Sequence, residues 1–484
     1  MSCSPAIKPN SPISAAAMDP PSTNRVDSAV NAAAVDLPSI LAQPSAWTYR
    51  GEGNANLVVA TTMEADTDVA AMDPFLKRLG THHVILRVAK SAHAAAADAP
   101  QAHSALDMAT FITHVVNPLF PPAHLPALIP VCLPPTFLTE LRDHIDATGA
   151  RPAKRANHAH IDPSQPIALL SPDYARLGDH TLCIEIKPKW LFVKDSTECA
   201  RPNSPPRTPS PVHTPSPVRT SSPSAGSQAC RFCMHQLLKA AKDPHYAPSQ
   251  LCPLDFLDEA TVPDAVRALL ATPHNNLRVW VDGVPVSVTA PEWSSVAVDT
   301  LCDMSNGTTD ARSALTTLLT SVLLELVPVL RTLGDHQQAL DQFDPVHVHA
   351  EYLALAAQSV DPPRISLDEW RHVIARYLAR RAAVEAGTSP PAVDRFQLLA
   401  EYVLSMTLKD CSMLITVSKG DELPEGEACK RLPGGEGLVY RAVLLDLDPK
   451  ALAKVPQWFE LDGEIRAHFA NGAAAGADFA GVKL

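Results

Sequence analysis

Aromatic residues make up only 5% of this 484-residue chain, and no excess of basic charge is present: 52 acidic against 40 basic residues leave a net charge of −12. A general nucleic-acid binder carries a basic field, so that class is excluded, and any polyanion has to be caught in a local basic cleft. A disulfide framework is missing too. The 10 cysteines are scattered without a framework pattern, which fits a reducing compartment. Long apolar runs are absent: the longest, Leu315 to Leu330, is 16 residues and contains Glu325 and Pro328, too short and too polar to span a bilayer. Asp19 and Asp27 come early, and no basic segment leads into an apolar core. No secretory signal is expected, and the expectation is a chain of the cytosol or nucleus without a membrane partner.

What is abundant is proline, 46 residues, together with alanine and serine. These concentrate in segments that cannot bury enough apolar surface to fold. Residues 1–44 read as a disordered leader, 471–484 as a flexible tail, and 195–228 as a disordered Ser/Thr-Pro insertion (RPNSPPRTPSPVHTPSPVRTSSPS) open to phosphorylation. The remainder is long enough for two lobes: 45–172, then a connecting stretch 173–194, then 229–470.

The stretch Cys183–Trp190, CIEIKPKW, organises the chain. Alternation places Glu185, Lys187 and Lys189 on one face of a strand and Ile184 and Ile186 on the other. Pro188 cannot donate to a ladder, so the strand is an edge or ends there. The polar row reads either as a solvated face or as two ammonium groups and a carboxylate aimed at a phosphorylated ligand.

Upstream, WTYRGEGNANLVVAT reads as strand, Gly-rich turn and strand, able to lie over nucleotide phosphates or to be a plain hairpin. No Gly-Lys-Ser/Thr follows, so it is not a P-loop. In the next strand, His83 to Lys90, Arg87 or Lys90 sits where phosphates would need a cation. Pro166 to Leu170 is a short strand stopping at a hinge around Asp173. Downstream, Cys230-x-x-Cys233 has no second pair to complete a zinc site, and Cys233 reads as a small buried apolar residue. TPHNNLRV offers Asn275, Asn276 and Arg278 for phosphate or hydroxyl groups. Asp410 stands at the mouth of the apolar strand CSMLITV, and Asp446 ends a second one, VLLDLD. Phosphoryl transfer needs one carboxylate to accept a hydroxyl proton and another to hold Mg²⁺. Lys450, Lys454 and Trp458 recur at the spacing of one helical stripe.

YRGEGNANLV, RANHAHID, EIKPKW, RFCMHQLLK, TPHNNLRV, KDCSMLI and LLDLDPKALAK together resemble the inositol-pentakisphosphate 2-kinase family, which makes inositol hexakisphosphate (phytate), over nearly all of the chain from Trp47 to about Phe459. The resemblance implies an α+β fold of two lobes distantly related to protein kinases: an antiparallel N-lobe, a larger mixed C-lobe, and ATP between them. It implies that Gly53, Asn54, Ala55, Asn56, Arg87, Asp173 and Glu185 hold the nucleotide, that Asp410 is the catalytic base with Lys187 beside it, and that Asp446, with Asp410, holds magnesium. Arg155, Lys189, Arg231, Asn275, Arg278, Lys450, Lys454 and Trp458 would bind phosphates of inositol pentakisphosphate. The expected form is a monomer using ATP and Mg²⁺, with no nucleic-acid substrate.

Several positions depart from the family. Plant members carry a Cys-x-x-Cys zinc element, whereas His347 to Arg380 holds no cysteine and only His349 at one ligand position, so no zinc is expected. Lys454 replaces an arginine and Trp458 a tyrosine, and lysine cannot grip a phosphate bidentately. A weakly catalytic relative that binds inositol phosphates as a scaffold or sensor is the alternative. The absence of an HRD-type loop and a DFG triplet excludes an ordinary protein kinase.

Overall fold

A computed structural model gives the structure of residues 34–53, 56–62, 81–92, 104–177, 180–194, 230–289, 311–358, 364–420, 429–435 and 437–474. Two sheets organise them in a mixed α/β arrangement. The first comprises β1 (Val35–Asp36), β2 (Thr48–Glu52), β3 (Asn56–Thr62), β4 (His83–Ala92), β5 (Ile129–Cys132), β6 (Ala159–Ile161) and β7 (Ile167–Pro172). Their order is β1-β5-β7-β4-β3-β2, with β6 paired to β4. Alternation does the work: Leu57 and Val59 of β3 and Val84, Leu86 and Val88 of β4 are buried, and they share a core with Phe137, Leu141 and Ile145 of α2 (Phe137–Thr148). Two short helices, α1 (Ala105–Phe111) and α3 (Ala153–Ala156), flank it.

The described residues begin at Ala34, inside the leader expected to be disordered over 1–44. β1 pairs in parallel with β5, Leu37 and Leu41 enter the first core, and the Trp47 indole donates to the Leu41 carbonyl at 3.0 Å. Two leucines and one indole hydrogen bond anchor a segment whose composition alone argued against order.

The chain passes to the second sheet between Pro172 and Thr181. That sheet contains β8 (Thr181–Ile186), β9 (Leu277–Val281), β10 (Val284–Val286), β11 (Ser412–Lys419), β12 (Lys430–Arg431) and β13 (Leu438–Leu445). The order is β10-β9-β8-β11-β13-β12, every pair antiparallel. β8 is therefore a central strand and not an edge. Pro188 is harmless to the ladder because it falls past the strand's end.

Around this sheet lie α4 (Arg231–Lys242), α5 (Val262–Ala271), α6 (Ala311–Leu340), α7 (Pro345–Ala356), α8 (Leu367–Glu385), α9 (Arg395–Leu408) and α10 (Val455–Ala474). α6 is 30 residues, long and apolar enough to cross a membrane by length and composition, which the 16-residue apolar run was not. Its leucines and valines are used in the core instead, against α5 and α9. Residues 1–33, 195–229 and 475–484 lie outside the described residues, as do Asn54 and Ala55.

Arg50 on β2 joins the two halves. Its guanidinium donates to Asp173 at 3.0 Å and to the carbonyl of Gly283 in the β9–β10 turn. Gly283 has φ +78°, and a Cβ there would lie 2.5 Å from both terminal guanidinium nitrogens. Only glycine combines that backbone with so close a neighbour.

Candidate active site

Antiparallel pairing brings distant segments to one edge of the second sheet. Ser412 at the start of β11 faces Leu445 at the end of β13, Met413 faces Ile186 at the end of β8, and Ile186 faces Leu277 at the start of β9. The residues just beyond those ends therefore meet: Asp410, Asp446, Lys187, Lys189 and Asn276.

Two linked carboxylate clusters result. Asp410 Oδ2 accepts from Lys450 Nζ at 2.6 Å, and its Oδ1 lies 3.5 Å from Lys189 Nζ. Half of the Asp410 side chain remains exposed (50%). Burial pushes its carboxyl pKa upward, but Lys450, Lys189 and Lys187 outweigh that and hold it below the ordinary aspartate value. Lys189 is lowered, by burial above all; Asp410 works against that shift and Lys187 adds to it.

In the second cluster, Ser412 Oγ lies 2.7 Å from Glu185 Oε1 and 3.0 Å from Asp446 Oδ2. A hydroxyl has one proton and cannot donate to both. Two carboxylates thus crowd one donor, with Lys187 Nζ 3.4 Å from Asp446 and Arg278 3.7 Å from Glu185. A hard cation suits such an oxygen set. Lys187 is aimed by its backbone, whose N–H donates to the Asn276 carbonyl at 3.0 Å.

On the first-sheet side, Arg87 and Lys90 part company. Arg87 reaches Asp448, just past β13; the Asn56 amide, turned with its oxygen to the guanidinium, accepts from it at 2.7 and 3.2 Å. Lys90 is buried, donating to Glu52 and to the Gly53 carbonyl, each at 2.6 Å. Arg151 closes on the same Glu52 at 3.0 Å. Burial raises the Glu52 pKa, and the two cations more than reverse it. Gly53 is thus braced from beneath by Lys90, while Arg87 faces the carboxylate edge.

Comparison with known proteins decides the family. The family model described as inositol-pentakisphosphate 2-kinase matches residues 49–464. The chain belongs to the inositol-pentakisphosphate 2-kinase family. It is 25% identical over 451 residues to the inositol-pentakisphosphate 2-kinase of Arabidopsis thaliana, covering 87% of this chain and 92% of that one. Likewise, it is 24% identical to inositol-pentakisphosphate 2-kinase IPK1 of Oryza sativa subsp. indica (89% and 95% covered), and 22% identical to the Danio rerio enzyme of the same name (87% and 92%). Membership makes the chain a kinase.

Several of the other residues expected at the site stand apart from this edge. Lys450, Lys454 and Trp458 do not form one helical stripe: Lys450 lies in extended chain before a 3-10 turn, Leu452–Lys454, and α10 begins only at Val455. Pro449 and the pairing of Lys450 with Asp410 hold the chain out of the helix. Lys454 is exposed, and Trp458 packs edge-on to Tyr402 at 6.0 Å. Arg231 is committed to Asp462 of α10 at 2.5 Å and serves as a strut between α4 and α10. Asp173 is spent on Arg50 and on the Ala175 N–H. Arg155 is exposed on α3, beside β6. Asn275 is exposed, whereas Asn276 is buried with its Oδ1 unpartnered by protein.

Ser412 and Asp448 belong to the site and were not singled out as site residues in the sequence, whereas Asn276 was. Asp448 had a signal, since it follows Asp446 by two in LDLD. Away from the site, Cys230, Cys233 and Cys252 place their sulfurs within 4.8 Å of one another, all buried. Cys252 joins the pair at an irregular spacing, and no fourth His, Cys, Asp or Glu joins them among the described residues.

Proposed function

We propose that the protein transfers the γ-phosphoryl group of ATP to the 2-hydroxyl of inositol 1,3,4,5,6-pentakisphosphate, giving inositol hexakisphosphate, and that the two sheets are the lobes of a kinase-like fold with the nucleotide between them. The observation that carries this reading is a half-exposed carboxylate, Asp410, fixed between Lys450 and Lys189 at one sheet edge with a second carboxylate centre, Asp446, beside it. Asp410, ionised because its pKa is held down, accepts the proton of the attacking hydroxyl, a role worth roughly 10²–10⁴-fold in rate. Lys189 and Lys450 keep its two oxygens oriented and present positive charge to substrate phosphates. Lys187 and Arg87 face the transferring phosphoryl group from opposite sheets.

Glu185 and Asp446 would hold Mg²⁺, since they crowd a single hydroxyl proton; the ion, when bound, offsets phosphate charge. Arg155 and Lys454, at the rim, meet outlying phosphates, and the acidic chain catches its polyanion only in this basic cleft. A scaffold or sensor would need the lysines but neither the base nor the second carboxylate centre. Incubation with ATP, Mg²⁺ and a panel of inositol phosphates, followed by product separation, is expected to give hexakisphosphate from the 1,3,4,5,6-isomer alone; inositide binding without any product would favour the scaffold.

A further inference from the structure

Lys189 is one of four described non-glycine residues with positive φ, at 60°, a conformation that L-residues adopt only when their surroundings enforce it. The enforcement comes from the C-terminal part of α6. A Cβ on Gly334 would lie 2.8 Å from the Leu191 carbonyl oxygen, so the helix surface is hollowed to receive the segment Lys189–Leu191. One turn on, Gln337 is fully buried and uses its whole amide. Its Oε1 accepts from the Leu191 N–H at 2.8 Å, and its Nε2 donates to the Lys189 carbonyl at 2.8 Å and to the Leu408 carbonyl at 3.1 Å. Leu408 ends α9, two residues before Asp410. A single amide therefore ties the backbone that carries Lys189 to the backbone that carries Asp410.

The next turn repeats the device with charge. Asp341 accepts from Lys194 at 2.7 Å and from Lys409 at 2.6 Å, and the Lys409 ammonium lies 4.0 Å from the Trp190 ring centroid. Gly334, Gln337 and Asp341 recur at helical spacing: Gln337 and Asp341 each meet both segments, and Gly334 receives the Leu191 one. None of them touches the exposed edge.

We propose that Gln337 is a positioning residue: it sets the spacing between Lys189 and Asp410, and so the orientation of the base toward the attacking hydroxyl. This rests on the 2-kinase reading above. Lys189 and Asp410 lie on loops beyond different strand ends, which would otherwise drift independently, and a misplacement near 1 Å can cost about 10²-fold in rate.

Gln337→Met keeps length and burial and removes all three hydrogen bonds; Gly334→Ala keeps the amide and displaces the Leu191 carbonyl, serving if the first variant fails to fold. In the full chain, with folding checked by thermal melting, the expected result is a kcat lowered about 10- to 100-fold with KM for ATP within about twofold. Amide exchange at Leu191, which needs no turnover, is expected to lose its protection. In a Lys189→Ala background the Met substitution is expected to cost less than about threefold more, because partners in one network do not add. An unchanged kcat despite lost protection, an unchanged exchange rate, or the same loss with and without Lys189 would each overturn the proposal. Absence of product with the unmodified chain would count against the 2-kinase reading instead, and the exchange measurement would still read the clamp.

Discussion

Two groups of charges in this protein use the same residue types and end in opposite conditions. Glu52 and Lys90 of the first sheet and Arg151 beside it have side chains 1%, 3% and 4% exposed, and the carboxylate is shared by two cations in contact. Asp410 and Asp446 at the second sheet's edge are 50% and 59% exposed, and their lysines hold them at distances up to 3.5 Å. Both groups would score alike as ion pairs in a sequence. A sealed carboxylate with every partner supplied by the chain stabilises the fold, whereas an open one whose partners are still accessible can exchange them for a ligand.

The largest effect that could break this comparison lies in the sealed group. Glu52→Gln leaves Lys90 and Arg151 buried without their counter-charge and should destabilise the protein by about 3–5 kcal/mol, read as a large fall in the denaturation midpoint; a midpoint near the unmodified value would show the triad to be no more structural than the open edge. Lys450→Ala should do the reverse. Stability should change little, because its partner Asp410 is half exposed and stays solvated without it, while KM for the inositide rises about 10- to 100-fold, as expected for a charge-assisted contact of about 1.5–3 kcal/mol, and KM for ATP stays nearly constant.

A smaller effect tests the contact between the two regions. Gly283→Ala puts a side chain at positive φ, which should cost about 1–2 kcal/mol from the backbone alone; that part should persist in an Arg50→Ala background, while any further cost from the Cβ meeting the Arg50 guanidinium should vanish there in a double-mutant cycle. The smallest is a titration. Because Lys450 is the foremost influence lowering the Asp410 pKa and burial acts upward, Lys450→Ala should move that pKa up, followed by carboxyl carbon NMR. In the unmodified protein the pair's stabilisation is present above the ordinary value of 3.8 and is lost as pH falls through the lowered folded value; a pKa that does not rise in the variant would mean that Lys450 is not the controlling partner.

Much of the fold was legible because the alternation in β4 and the continuous apolar runs of β11 and β13 are local signals. The candidate base and second carboxylate could be read as strand-end aspartates. The position of β8 could not, since an edge and a centre differ only in what pairs with the strand, and its partner β11 lies over 220 residues away in sequence. Nor could the choice between Arg87 and Lys90, which depends on which side of β4 meets Glu52. The Lys450-to-Trp458 stripe misled because spacing assumes a continuous helix, and Pro449 together with the Asp410 contact breaks it. Gln337 carried no signal at all: one of two adjacent glutamines in the polar run Asp335 to Gln338, it acquires its role only when α6 meets two other segments.

The central claim is that Asp410 takes a proton at an edge the fold does not need. Turnover of Asp410→Asn, with inositide affinity and thermal midpoint measured on the same sample, tests it most directly. The account predicts a midpoint near that of the unmodified protein, inositide binding retained, and hexakisphosphate formation reduced by about 10²–10⁴-fold, since a carboxamide cannot accept the proton. Turnover close to that of the unmodified enzyme, or loss of turnover only because the protein has unfolded, would contradict it.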